Sequence, residues 1–140
     1  MPELSLAELQ GIEAVNPAIQ AAGFAAKLRE VQNPTISTYA SDGAIAFTYP
    51  NNTAKLTKGT AGAYTLAAPT AAQEGYRLLI LGQSAAAHVI TATDLLDDGV
   101  TGGAKDTATF GAFVGTSLDL IAINLKWHVV GKNVVTIAGS

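Results

Sequence analysis

Two histidines and a group of aspartates are the side chains of this chain best suited to chemistry. His88 and His128 fall in strand-like segments, and two histidines on neighbouring strands can bind a metal ion. Each is more simply interpreted as a strand residue whose polar edge reaches solvent or a backbone carbonyl. The carboxylates that could bind Ca²⁺, although they match no EF-hand spacing, are Asp94, Asp97, Asp98 and Asp106. Solvated turn residues explain them better, so we predict no metal site.

The sequence contains no motif for nucleophilic catalysis or phosphate binding. The chain has no cysteine, and no serine lies in a Gly-x-Ser-x-Gly elbow. Gly99, Gly102 and Gly103 lie in a predicted loop between strands, whereas a phosphate-binding glycine motif opens a helix. The aromatic residues fall mostly at inward strand positions, as a core requires. We therefore predict a protein with no enzymatic activity, no catalytic residues and no cofactor.

Composition narrows the possible partners and favours self-association. The net charge is −3 with no basic run, so we expect no nucleic-acid partner. No stretch approaches the ~20 apolar residues of a spanning helix, and the opening MPELSLAELQ lacks the basic region of a secretory signal. We therefore expect no membrane association and synthesis in a cytoplasm. Hydrophobic residues make up 49% and charged residues 14% of the chain, which favours an oligomer, with alanine content as the alternative explanation.

Residues 1–33 predict a short helical arm separate from a β-rich domain at 34–140. Ser5-Leu6-Ala7-Glu8 has the form of a capping box, and Asn16-Pro17 is typical of a second helix start. Such short helices are unstable alone, so their apolar residues must pack against the β-domain, a sister subunit or a larger assembly. The candidate interface residues of the arm are Leu6, Leu9, Ile12, Phe24 and Leu28.

From Thr35 onward the hydrophobic pattern has a period of two residues, which is typical of half-buried strands. Strands are predicted near 44–49, 63–68, 76–82, 87–93, 107–113, 117–123, 126–131 and 134–138, with a turn at 49–52 and one long loop at 94–106. This spacing predicts a mainly β fold, an antiparallel β-sandwich or barrel-like domain. The predicted core residues are Ile45, Phe47, Tyr64, Leu66, Leu78, Ile80, Ile90, Phe110, Leu118, Leu120, Trp127 and Val129.

Two predicted strands are apolar on both faces. They are residues 76–81 and 118–123, so either they lie between two layers or one face forms a contact between subunits. Leu79 and Leu81 are the interface candidates of the first strand. A domain of low charge with such strands must bury the second face, and we expect a homotrimer.

Several blocks of the sequence resemble a module of tailed-bacteriophage structural proteins. They are residues 56–75 (LTKGTAGAYTLAAPTAAQEG), 76–78 (YRL), 87–91 (AHVIT), 109–115 (TFGAFVG) and 126–130 (KWHVV). Together they are similar to small head-decoration (cement) and head-fibre proteins over residues 54–138. One departure is Asn124-Leu125, where related sequences often have Asn-Gly before the Lys-Trp strand, so we expect a longer turn or one of another type.

The resemblance implies a non-enzymatic virion protein that trimerises on the capsid surface and stabilises the head shell. Its partners would be copies of itself and the major capsid protein, and it would be synthesised in the host bacterial cytoplasm. The alternative is a tail-fibre or tail-associated domain that binds a receptor or carbohydrate. An exposed aromatic or acidic ligand-binding loop, with 94–106 as the obvious place, would favour that alternative.

Overall fold

The computed structural model describes residues 35–139, which are mainly β, as predicted. A single turn of 3₁₀ helix, Ala71–Gln73, lies among the strands. The strands are β1 (Thr35–Tyr39), β2 (Gly43–Ala44), β3 (Asn51–Leu56), β4 (Ala63–Thr65), β5 (Arg77–Gly82), β6 (Val89–Asp97), β7 (Lys105–Phe110), β8 (Thr116–Ile123), β9 (Lys126–Asn133) and β10 (Val135–Ala138).

The predicted helical arm of residues 1–33 lies outside the described residues. The helices proposed there, and the division of the chain between residues 33 and 34, stay predictions. The same holds for the interface candidates of the arm, which are Leu6, Leu9, Ile12, Phe24 and Leu28.

The first six strands wind alternately through two parallel ribbons. Strands β1, β3 and β5 form one ribbon and β2, β4 and β6 form the other. Strand β8 then pairs with β5, β9 pairs with both β8 and β6, and β7 pairs with β6 and β10. These pairings join the ribbons into one sheet of order β1-β3-β5-β8-β9-β6-β4-β2, which curls into a nearly closed barrel.

The prediction of antiparallel pairing was wrong for five of the nine strand pairs, which are parallel. It assumed that successive strands pair through short turns, but each connection among the first six strands carries the chain across to the opposite ribbon. A strand therefore meets the strand two places further along, and the two run parallel. Parallel pairing needs a crossover of about a dozen residues, and here the crossover is a strand of the other ribbon. The pairs β5–β8, β8–β9, β6–β7 and β7–β10 are antiparallel.

Three predicted element boundaries also differ from the structure. The strand expected at 44–49 is only Gly43–Ala44, and β3 begins at Asn51, inside the expected turn. Asn52 can lie in a buried strand because its side-chain amide donates to the carbonyls of Tyr49 and Arg77. The loop expected at 94–106 is shorter, because β6 continues to Asp97 and β7 begins at Lys105.

The core fills the space inside the curled sheet, largely as predicted. Phe47 and Val129, two of the predicted core residues, are partly buried and pack against it. Trp127 is fully buried, donates from Nε1 to the Ala67 carbonyl at 2.9 Å and meets the Phe47 ring edge-on at 4.9 Å. The other predicted core residues are buried, and the sequence prediction missed Ala54, Leu56, Ala92, Leu96, Ala108, Ala122 and Val135.

The β8–β9 connection corrects the expectation for Asn124-Leu125. Ile123 pairs with Lys126, so the loop has only two residues, as in the related sequences with Asn-Gly. Asn124 and Leu125 have φ angles of 52° and 63°, both in the left-handed region that a type I′ turn requires. The Glu74 carboxylate accepts a hydrogen bond from the Asn124 N–H, which helps to hold this turn without glycine.

Candidate functional site

The outer face of β1, β3, β5, β8 and β9 is a candidate contact surface within the described residues. Side chains alternate between the two faces of a strand, so β5 directs Leu78 and Ile80 inward and Leu79 and Leu81 outward. The structure thus places the two interface candidates of this strand together on one solvent-facing surface. The members of this outer face on the three central strands are Asn51, Thr53, Lys55, Arg77, Leu79, Leu81, Ser117, Asp119, Ile121 and Ile123.

Large apolar side chains lie among polar ones on this outer face, from its edge to its centre. The register places Ile36 beside Thr53, Thr53 beside Leu79, and Leu79 beside Asp119. Ile36 is 64% exposed, and Leu79, Leu81 and Ile121 are half-buried. Large apolar side chains grouped on the solvent side of a sheet are typical of a contact surface.

A shallow hollow lies at the centre of the outer face. Its volume is about 300 Å³. Arg77 Nη2 contacts both carboxylate oxygens of Asp119, at 3.1 and 2.9 Å, and this ion pair balances two charges within the face. Burial of this pair in an interface costs desolvation, so a partner surface must leave the pair hydrated or supply it with further hydrogen bonds. The residues that line the hollow are Asn51, Thr53, Arg77, Leu79 and Asp119.

His88 is fully buried and both of its ring nitrogens are hydrogen-bonded. The backbone N–H of Gly62 donates to Nδ1 at 3.0 Å, so Nδ1 is unprotonated. The neutral ring then carries its proton on Nε2, which donates to Ser84 Oγ at 2.8 Å. The Ser84 hydroxyl in turn donates to the Lys58 carbonyl at 2.6 Å. Burial, and secondly the positive charge of Lys58, lower the pKa of His88.

This arrangement lacks the geometry of a serine–histidine catalytic pair. A histidine that activates a serine must present an unprotonated nitrogen to the hydroxyl, whereas here the nitrogen that faces Ser84 carries the proton. The sequence analysis expected a polar edge that reaches solvent or a carbonyl. The structure instead places His88 in a continuous series of hydrogen bonds, which joins the segments around residues 58, 62 and 84.

The two histidines cannot share a metal ion. His88 immediately precedes β6, and His128 pairs with Asp97 at the other end of that strand. Nine residues of strand at about 3.3 Å each separate these ends by roughly 25–30 Å. His128 is exposed.

Two of the four aspartates of the predicted loop accept hydrogen bonds from nearby backbone N–H groups. Asp106 accepts from the Asp94 N–H at 2.8 Å, where Asp94 has a φ of 59° within a β-bulge. Asp98 accepts from the Val100 N–H at 3.0 Å. Within residues 35–139, no three His, Asp or Glu side chains gather as a metal site would require.

Sequence reasoning missed a second exposed apolar group, at the β7–β8 and β9–β10 connections. Phe113 is 67% exposed, and Val114 and Val134 are similarly open to solvent. The Gly111 N–H donates to the Val134 carbonyl, and the Phe113 N–H donates to the Gly111 carbonyl, so the group is held by backbone bonds. The signal in the sequence was an apolar pair, Phe113-Val114, directly before a turn glycine.

Comparison with known proteins gives no assignment. No model of a known protein family matches the chain, and no curated protein sequence matches it either. Among the described residues, no helix has both the length and the apolar character needed to cross a membrane.

Proposed function

We propose that this protein is a non-enzymatic structural subunit that works by self-association through its outer face. The observation that carries the proposal is that β5 and β8 bear large apolar side chains on both faces. Their inward residues form the core, while Leu79, Leu81 and Ile121 remain half-buried on the solvent side. Full burial of a leucine contributes about 1.5–3 kcal/mol, so each half-buried leucine retains roughly 1 kcal/mol that an interface can add.

The assembly we propose is a homotrimer on the surface of a bacteriophage head, where it binds the major capsid protein and stabilises the shell. Three features support it. The sequence blocks within residues 54–138 resemble those of head-decoration proteins. The charged fraction of 14% suits close packing of copies. The hydrogen bonds of His88 suit a scaffold better than a reaction centre.

A tail-fibre or tail-associated binding domain is the second candidate, and one observation favours it. Phe113 presents an aromatic ring to solvent, and protein sites for sugars commonly use such rings. A glycan array would separate the candidates. Binding that is lost in Phe113→Ala would favour the receptor-binding role.

Light scattering coupled to size-exclusion chromatography tests the self-association. We expect a trimer or a multiple of it for the wild-type chain, and a smaller species for the double variant Leu79→Ser/Leu81→Ser, whose fold is checked by circular dichroism. Val100→Ser is the matched control, because Val100 is 63% exposed but lies in the β6–β7 loop, off the outer face. The control should remain a trimer. Loss of the trimer in both variants would show that the outer face has no special role.

Sedimentation with phage heads that lack the protein tests the location. We expect the wild-type chain to saturate the heads at a fixed ratio to the major capsid protein, with weaker binding of Leu79→Ser/Leu81→Ser because a trimer gains by avidity. Binding to isolated tails but not to heads would favour the second candidate.

A further inference from the structure

Strand β1 has one free edge. It pairs with β3 on one side, and no other strand of residues 35–139 pairs with its opposite side. The Tyr39 carbonyl accepts from the Thr57 N–H, so Tyr39 directs its backbone groups toward β3. Backbone groups alternate between the two edges of a strand, so Thr35 and Ser37 do the same. Ile36 and Thr38 therefore direct their N–H and C=O groups toward the free edge.

This edge lacks the protection that the other terminal strands have. Strand β2 is only two residues long. On β10, the Lys132 ammonium donates to the Val135 carbonyl at 3.1 Å and so covers part of that edge with a charge. Thr35–Tyr39 contains no charged residue, no proline and no bulge. An edge of β-branched residues without such features is a ready template for another strand.

We propose that the free edge of β1 binds the same edge of a second copy, antiparallel, about a two-fold axis at Ser37. Ile36 then lies opposite Thr38 of the second copy, and each exchanges both of its free backbone hydrogen bonds. The two Ser37 residues face each other as a pair without hydrogen bonds. The β1-β3-β5 ribbon continues across the axis into the ribbon of the second copy.

Charge and side-chain chemistry support a second copy as the occupant. A two-fold axis places every charge close to its own duplicate, and the neutral segment Thr35–Tyr39 avoids that repulsion. The exposed side chains of Ile36 and Thr38 form cross-strand pairs of β-branched residues, which stabilise antiparallel sheets. This contact is distinct from the outer-face trimer and would link one trimer to the next. Variants at β1 therefore test it separately from variants at Leu79 and Leu81.

A cysteine at position 37 tests the axis directly, because the chain has no cysteine of its own. Residues that face each other without hydrogen bonds have Cα atoms about 4.5 Å apart, within the range of a disulfide. We expect Ser37→Cys to form a covalent dimer under mild oxidation. Ile36→Cys is the matched control, because its Cβ atoms would lie about 7–8 Å apart across the axis, too far to bond. Absence of the dimer in Ser37→Cys, or equal rates in both variants, overturns the proposal.

A proline at position 38 tests the edge hydrogen bonds. Thr38 directs its N–H outward, so proline removes no bond within the subunit, and edge strands tolerate it. We expect Thr38→Pro to keep the outer-face trimer and to lose the association between trimers, whereas Thr38→Val keeps both. If Thr38→Pro does not fold, the cysteine pair decides alone. Residues 1–34 of the same chain are the competing occupant, and their cover of the edge would prevent the Ser37→Cys dimer and overturn the proposal.

Discussion

Replacement of His88 by phenylalanine should destabilise the fold by about 2 kcal/mol, chiefly because one buried N–H loses its acceptor. Phenylalanine keeps an aromatic ring beside Tyr64, whose ring centroid lies 5.8 Å from that of His88, but it is the larger side chain, so crowding adds to the cost. The Gly62 N–H, however, loses its only acceptor in a buried position. An unsatisfied buried donor costs about 1–3 kcal/mol. Ser84 keeps its hydrogen bond to the Lys58 carbonyl, so loss of the bond between His88 and Ser84 adds little to the cost.

The same substitution should change how stability depends on pH. Burial lowers the pKa of His88 in the folded chain, so near pH 6.5 and below the unfolded chain binds the extra proton more readily. The stability that neutral His88 contributes is therefore present above its unfolded pKa and is lost as pH falls through its folded pKa. The charged group that acts on the ring is Lys58. The free energy gap between wild type and His88→Phe should narrow on acidification.

Urea unfolding followed by the fluorescence of Trp127, the only and fully buried tryptophan, measures both effects. With an m-value of about 2 kcal/mol/M, the midpoint of His88→Phe should lie about 1 M lower at pH 7.5 and closer to wild type at pH 5. His128→Gln is the control, because His128 is exposed, and it should stay within about 0.5 kcal/mol. A gap that is absent at pH 7.5, or that widens at pH 5, would refute the hydrogen-bond assignment.

Three further predictions use the same unfolding assay. Leu125→Gly should raise stability by about 1 kcal/mol. Leu125 has a φ of 63° and is 52% exposed, so glycine relieves backbone strain with little loss of packing. An unchanged urea midpoint would contradict this prediction. Gly82→Ala should lower stability by about 1–3 kcal/mol, because a Cβ at this position would meet the buried Thr116 side chain. Unchanged stability would show that β5 and β8 can separate to make room. Arg77→Ala should cost less than about 1 kcal/mol, because its ion pair with Asp119 is solvent-exposed, and a larger loss would assign the pair a structural role.

Period-two alternation predicted the β class and the inward residues. The reason is that burial of a side chain depends on its odd or even position along the strand, and not on which strand lies beside it. Leu78 and Ile80 face the core, and Leu79 and Leu81 face outward, whichever strand lies beside β5. Pairing depends on where each connection leads, and this information is not local. The winding of β1 through β6 could therefore not be derived from the turns that separate the strands.

The remaining errors in the predicted strands and turns arise where hydrogen bonds of one side chain stabilise a structure that the local sequence does not favour. Asn51-Asn52 is typical of a turn, but the Asn52 amide satisfies two carbonyls and so allows a buried strand. Asn124-Leu125 forms a tight turn without glycine because the Glu74 carboxylate holds it. For the candidate site, Leu79 and Leu81 were proposed from the sequence, but the adjacency of Ile36 and the position of Phe113 depend on the fold.

The solution mass of the full-length wild-type chain at tens of micromolar, measured by light scattering, tests the central proposal most directly. The outer face leaves Leu79, Leu81 and Ile121 half-buried on each subunit, and self-association is the proposed means of covering them. We predict the mass of a trimer or of linked trimers, reduced by Leu79→Ser/Leu81→Ser and unchanged by Val100→Ser. A monomer at that concentration would contradict the proposal.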